Sequence, residues 1–279
     1  MNRRAVLLMP LLTLNACASA PVFPGERPTL AVKTQSLNEL QTLPPPASQL
    51  FVAVYAFTDQ TGQHKPNDTY ADYSFAVTQG ATSILMNALY DTGQGKWFDV
   101  LERSRLPDLL QERQIIRANR LEFPGPAGTP LPPLGPLHNA GLVFEGGIIG
   151  YDSNLLTGGA GANYLGIGAS TQYRKDTVAI YLRTISVLTG DVLTSVVANK
   201  TIYSVEFNAS VNKFVGFNKL LQIETGFSTN EPVQLAVKQA IEEAVYSTVM
   251  EGAIRNYWSF ADPQKQATLI AYYEKTPGS

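Results

Sequence analysis

The stretch Thr201–Asn212 constrains this chain more than any other. Its odd positions Tyr203, Val205, Phe207, Ala209 and Val211 are apolar or small, and its even positions Ser204, Glu206, Asn208, Ser210 and Asn212 are polar. Successive side chains of a strand point to opposite faces, so this arm has one apolar face and one wet face. A turn is expected at Lys213–Lys219, around Gly216. Beyond it Leu221, Ile223, Thr225 and Phe227 alternate with Gln222, Glu224, Gly226 and Ser228. A second segment repeats the pattern: Leu165, Ile167, Ala169, Thr171 and Tyr173 against Gly166, Gly168, Ser170, Gln172 and Arg174. A weaker, glycine-rich arm precedes it at 155–162, with the turn near Asn163–Gly166. Arms of about ten residues match a transmembrane β-strand. They also match amphipathic hairpins that cover a soluble core, and the alternation alone leaves both open. Two hairpins supply four strands, and four strands cannot close a barrel. Open edges in lipid cost several kcal/mol per unpaired backbone group, so membrane-spanning hairpins require several subunits to share one barrel.

The N-terminal region points to export. Arg3 and Arg4 precede an apolar run, Ala5 to Leu14, which ends in Leu14-Asn15-Ala16-Cys17. The run is too short to span a bilayer, which takes about 20 residues. It fits a signal-peptide core. The order basic, apolar, small, cysteine reads as a lipoprotein signal, with Cys17 lipidated and residues 1–16 removed. Asn15 is the departure from that pattern. The alternative is an ordinary signal peptide cut at Ala18-Ser19-Ala20. Ala18 in place of an aspartate favours the outer membrane. Cys17 is the only cysteine, so no disulfide framework is available. Without residues 1–16 the chain carries 19 basic and 23 acidic side chains. That balance argues against nucleic acid, whose binding rests on a basic surface.

The rest reads as a compact α+β or α/β domain, a mixed sheet with packed helices. Residues 17–47 are expected to form a lipidated, proline-rich tether with a short helical candidate at Ser36–Gln41. Leu50–Phe57 reads as a buried strand, Ser74–Leu89 as a helix and Trp97–Glu102 as a strand. Ser104–Arg117 reads as a helix with Leu109, Leu110, Ile115 and Ile116 to bury. Residues 121–137, with six prolines, read as a loop. Gly141–Tyr151, Thr177–Val187 and Val192–Ala198 read as strands. Asn230-Glu231-Pro232 opens a helix whose apolar stripe includes Val233, Val237, Ile241, Val245 and Val249. The domain is thus expected to be discontinuous, 48–151, 177–200 and 230–262. The excursions 152–176 and 201–229 are the hairpins, and 263–279 is a tail.

Several longer strings carry a resemblance to a known family: FVAVY (51–55), TGQHKP (61–66), AVTQGAT (76–82), LLQERQIIRA (109–118), EGGIIGYDSN (145–154), TGGAGANYLGIGASTQY (157–173), TISVLTGDVLTSV (184–196) and STNEPV (228–233). On these the chain resembles the curli secretion channel family, CsgG-like outer-membrane lipoproteins. The resemblance implies a homo-oligomeric ring of about nine subunits in the outer membrane, each giving two hairpins to one barrel of about 36 strands. It implies a periplasmic α/β domain, unfolded amyloid subunits as cargo, and periplasmic and surface curli accessory proteins as partners. Such a barrel is about 70 Å across at about 4.8 Å strand spacing and about 40° tilt. The family narrows it with a loop after the first strand. Here that loop is 58–75. Matching Lys65-Pro66 and Ala76-Val77 to the family pattern sets Asn67 at a tyrosine position and Asp72-Tyr73 at an Asn-Phe pair. Tyr70 could supply the missing aromatic instead. A solvated loop is the plain alternative, as Asn, Asp and Thr favour turns.

Passive threading needs no catalytic site, cofactor or metal, and none is expected. The two histidines, His64 and His138, lie in loops without paired ligands, and no serine has a G-x-S-x-G setting. The competing reading is a lipid-anchored periplasmic adaptor without a pore.

Overall fold

A computed structural model describes residues 33–64, 75–157, 172–207, 211–215 and 232–275. Its centre is a six-stranded mixed sheet in the order β2-β1-β3-β4-β5-β6. Strand β1 (Leu50–Asp59) pairs parallel with β2 (Phe98–Glu102) and with β3 (Leu142–Thr157). Strands β4 (Gln172–Ser186), β5 (Val192–Phe207) and β6 (Val211–Val215) then follow as antiparallel neighbours. Of the continuous apolar run in β1, Val52, Ala53, Val54 and Phe57 are buried, whereas Phe51 and Tyr55 are exposed, so the strand is covered in part and not on both faces.

Helices α1 (Gln35–Gln41), α2 (Ala81–Asp91) and α4 (Pro232–Ile254) pack on one another. Helix α2 packs on β1 and β2, and α4 packs on β4 and β5. The α4 stripe of Val233, Val237, Ala240, Ile241, Ala244, Val245 and Val249 is buried as its period requires. The opposite sheet face stays open in part, with Tyr55, Ile149 and Val197 exposed.

Four boundaries differ from the sequence reading. The first is the tether. Thr34 caps α1 by accepting from the Leu37 amide, and Leu37, Leu40 and Leu43 are buried, so the domain begins well before residue 48. The prolines that favour extension also lie against the domain, with Pro44 and Pro46 half-buried. Pro46 bridges to Phe260, and the Pro44 carbonyl accepts from the buried Trp97 indole at 2.8 Å. The second is the tail. Asp262 accepts from the amides of Gln264 and Lys265 and starts α5 (Pro263–Tyr273), whose Tyr273 is buried.

The third is α3 (Leu106–Glu122), which has no buried residue. Leu109 and Ile116 are half-buried, and Leu110 and Ile115 are exposed. The helix is held by arginines instead of by apolar packing. Arg103 donates to the His138 carbonyl at 2.7 Å, Arg113 to that of Gly135 and Arg120 to that of Pro132. The accepting carbonyls are three residues apart, the repeat of a polyproline II helix. The proline-rich segment therefore runs antiparallel to α3, with a 3₁₀ turn at Pro126–Gly128 between them.

The fourth is the strands. β3, β4 and β5 cross the expected boundaries at 151, 176 and 200 without a break.

Candidate functional site

The continuous strands carry the sheet out of the domain. Pairing of β3 with β4 runs from Leu142↔Ser186 to Thr157↔Gln172, and that of β4 with β5 reaches Tyr173↔Val205. Beyond this, β5 pairs with β6 from Tyr203↔Val215 to Phe207↔Val211. That pairing ends the first arm at Phe207, before the turn expected at 213–219. The arms 163–171 and 221–228, and the turn near 163–166, lie outside the described residues.

The register decides which face is which. On the side that α4 covers, Val178 lies beside Tyr151, and Asp176 pairs with both Ser153 and Ile202. Val178, Asp176 and Ile202 are buried. On the opposite side three rows lead outward: Asp152–Thr177–Thr201, then Asn154–Lys175–Tyr203, then Leu156–Tyr173–Val205. The apolar positions of the two alternating segments, Tyr173 in one and Tyr203 and Val205 in the other, therefore share one face. That face lies away from the helices.

A hairpin folded to cover the core would need the same apolar positions on the helix side. The extension is tied to the domain at its root. Tyr151 donates to Asp176 at 3.2 Å, and the hydroxyls of Thr177 and Thr201 meet at 3.0 Å across β4 and β5. Burial holds the Tyr151 hydroxyl above its ordinary range. The periodicity concealed this root. A buried aspartate within a strand is visible in sequence only as an interruption of the pattern.

The second part of the site is the loop after β1. At the end of that strand Asp59 accepts from the amide and hydroxyl of Thr61 at 2.9 and 2.7 Å, turning the chain out of the sheet. His64 and Phe75 then form an antiparallel bridge with their rings stacked 5.0 Å apart. The Ala76 amide donates to the Gln63 carbonyl at 2.9 Å. The two ends of the segment 65–74 are clamped into a neck. Asn67, Tyr70, Asp72 and Tyr73 lie outside the described residues, as does Cys17. His64 thus belongs to the neck. The His138 ring lies tilted by 44° against Phe51, centroids 5.0 Å apart, while its carbonyl holds Arg103.

Comparison with known proteins identifies this architecture. A family model described as the curli production assembly/transport component CsgG matches residues 33–276. The chain belongs to the CsgG family. A CsgG relative from Escherichia coli is 42% identical over 272 residues, which is 97% of this chain and 96% of that protein. One from Salmonella typhimurium is 42% identical over 274 residues, 97% of each. Both carry the family's name for a component of curli production assembly and transport. Among solved structures, a PelC dodecamer from Paraburkholderia phytofirmans is 11% identical, with 74% of this chain and 90% of that one covered and a TM-score of 0.28. Among the described residues of this CsgG-family chain, no helix is long and apolar enough to cross a membrane.

Proposed function

We propose that this chain is one subunit of a homo-oligomeric outer-membrane pore that passes unfolded curli-type amyloid subunits from the periplasm to the cell surface. Membership of the CsgG family supports a part in curli secretion. The observation that carries the pore reading is the register that sets Tyr173, Tyr203 and Val205 on one side of β4 and β5, away from α4. A polar sheet extension suits water, and a core-facing one suits a soluble lid. An extension apolar on its helix-free side suits lipid, with the other side turned to an aqueous lumen.

Each subunit would contribute the hairpins 152–176 and 201–229 to one shared barrel, because a lone four-stranded sheet leaves open edges in the bilayer. A ring of about nine such subunits would form a barrel of about 36 strands. The segment 65–74, borne on the neck at His64 and Phe75, would line the narrowing of the channel. There Asn67, Asp72 and Tyr73 are the residues assigned to the axis, with Tyr70 as the further aromatic. Lipidation of Cys17 would deliver each subunit to the outer membrane and raise its local concentration before the hairpins pair. Cargo would move by threading, without a catalytic residue, cofactor or metal. Periplasmic and surface curli accessory proteins would meet the ring at its two mouths.

Planar-bilayer recording of the purified, assembled protein tests the reading. Stable single-channel conductance of uniform size is expected. Rings visible in negative stain that give no conductance would overturn it.

A further inference from the structure

Two surface features of the domain have matching chemistries. The first is the outer side of the proline-rich segment. A polyproline II helix repeats every three residues. One of its sides carries Leu134 and Leu137, both half-buried, and a second carries the carbonyls of 132, 135 and 138, which accept from arginines. The third side carries Pro130, Pro133 and Pro136, all exposed. Three bonds to carbonyls hold the segment extended, so this ridge has little conformational freedom left to lose on binding. Beside it, Arg113, Arg117 and Arg120 form one stripe of α3, at spacings of four and three residues. Arg113 and Arg120 are engaged by carbonyls. Arg117 between them is exposed, and among the described residues no carboxylate lies in ion-pair range of it.

The second feature is a groove between α1, α4 and α5, lined by Leu43, Tyr246, Leu269 and Tyr272 with Glu39 at its side. Its volume is about 180 Å³. Small-molecule pockets begin at about 300 Å³, so the groove suits a side chain or a proline ring better than a free ligand. Burial, together with the carboxylates of Glu39 and Glu243, pushes the Tyr246 hydroxyl up to about 12, so the groove carries a negative field. Aromatic-lined grooves take polyproline ridges, and a carboxylate beside such a groove attracts a flanking arginine.

Topology separates the two features. Helix α3 follows β2 at one edge of the sheet, whereas α4 packs on β4 and β5 towards the other. Ridge and groove are thus different patches of one chain. Rings are closed by heterologous contacts of this kind, in which one patch of each subunit meets a different patch of the next.

We infer that the ridge Pro130–Pro133–Pro136 of one subunit, with Arg117 beside it, docks into the Tyr246–Tyr272 groove of the next, where Arg117 meets Glu39. The inference rests on the oligomeric reading above and names the two faces that meet in it.

Disulfide trapping in the full-length, detergent-extracted protein tests the contact. Pro133→Cys combined with Leu269→Cys should give, on mild oxidation, a ladder of covalent oligomers beyond the dimer, because each chain carries both halves. Each single variant should give no ladder, and neither should the parent chain, whose one cysteine is Cys17. Charge supplies the second readout. Arg117→Glu should raise the concentration at which rings dissociate about fivefold per contact, and adding Glu39→Arg should restore assembly, a rescue that a merely structural role for Arg117 does not allow. Rings visible in negative stain that yield no ladder, or a charge swap that fails to restore assembly, would overturn this contact, leave the ridge to a different protein and leave the pore reading standing. Absence of rings from the parent chain would overturn the pore reading and the contact with it.

Discussion

Gly252→Ala should destabilise the domain, against the direction that helix propensity dictates. Gly252 lies in the last turn of α4, where alanine is ordinarily favoured over glycine by at most about 1 kcal/mol. The fold reverses the sign. After α4 the chain turns back through Asn256, whose φ of 59° lies in the left-handed region that asparagine tolerates. The Trp258 indole is thereby laid across Gly252. A Cβ at position 252 would meet three indole carbons at 1.8, 2.1 and 2.5 Å, distances that no small adjustment absorbs. Trp258 also donates to the Val249 carbonyl at 2.8 Å from a buried position, so moving the ring breaks that bond. Overpacking costs about 1–3 kcal/mol. A lost hydrogen bond costs about 1 kcal/mol more. Subtracting the propensity gain leaves a net loss of about 2 kcal/mol, or about 4–8 °C in Tm for a domain of this size. Urea unfolding reports it directly, because Trp97 and Trp258 are the only tryptophans and the midpoint should fall with unchanged m-value. Combining the change with Trp258→Leu removes the clash, so the two substitutions should cost less together than their sum. A stabilised Gly252→Ala variant would refute the packing argument.

Other consequences follow from single contacts. Burial pushes the Glu242 carboxyl above its ordinary value, against the Thr34 hydroxyl and Lys238, which lower it. An acid raised on folding binds more protons in the native state, so stability should fall as pH rises from 4.5 through the raised value. Glu242→Gln should flatten that slope in denaturant titrations at several pH values, and a slope unchanged by the substitution would assign the effect elsewhere. Arg113→Ala should free one turn of the proline-rich segment from α3, seen as faster proteolysis within 121–137 at nearly unchanged global stability. Equal cleavage rates would mean the arginines do not hold the segment. Asp72→Asn should shift ion selectivity of reconstituted channels towards anions, and unchanged reversal potentials would place Asp72 off the axis. Cys17→Ala should leave the protein in the periplasm and abolish export; working pores from that variant would reduce the lipid to an address.

Much of this molecule was legible residue by residue. The run Leu50–Phe57 reads as a strand, and the stripe from Val233 to Val249 as a helix with one buried side; the structure has both, though Tyr55 of the strand is exposed. Both patterns are local, because burial selects side chains at the spacing of the element that carries them. The alternation at 201–207 likewise showed two unlike faces. Its periodicity could not say which side of the sheet each face took. That depends on strands brought together from distant parts of the chain: Val205 is read against Tyr173, and Ile202 against α4. The same holds for α3, whose leucines and isoleucines looked destined for a core until arginines and the carbonyls of His138, Gly135 and Pro132 claimed the helix. It holds again for α1, where prolines that read as a tether close over Trp97 and meet Phe260. The sequence by itself determined which segments alternate and where polarity changes. The tertiary structure alone decided what each face confronts, because confrontation is set by register and packing between residues far apart in the chain.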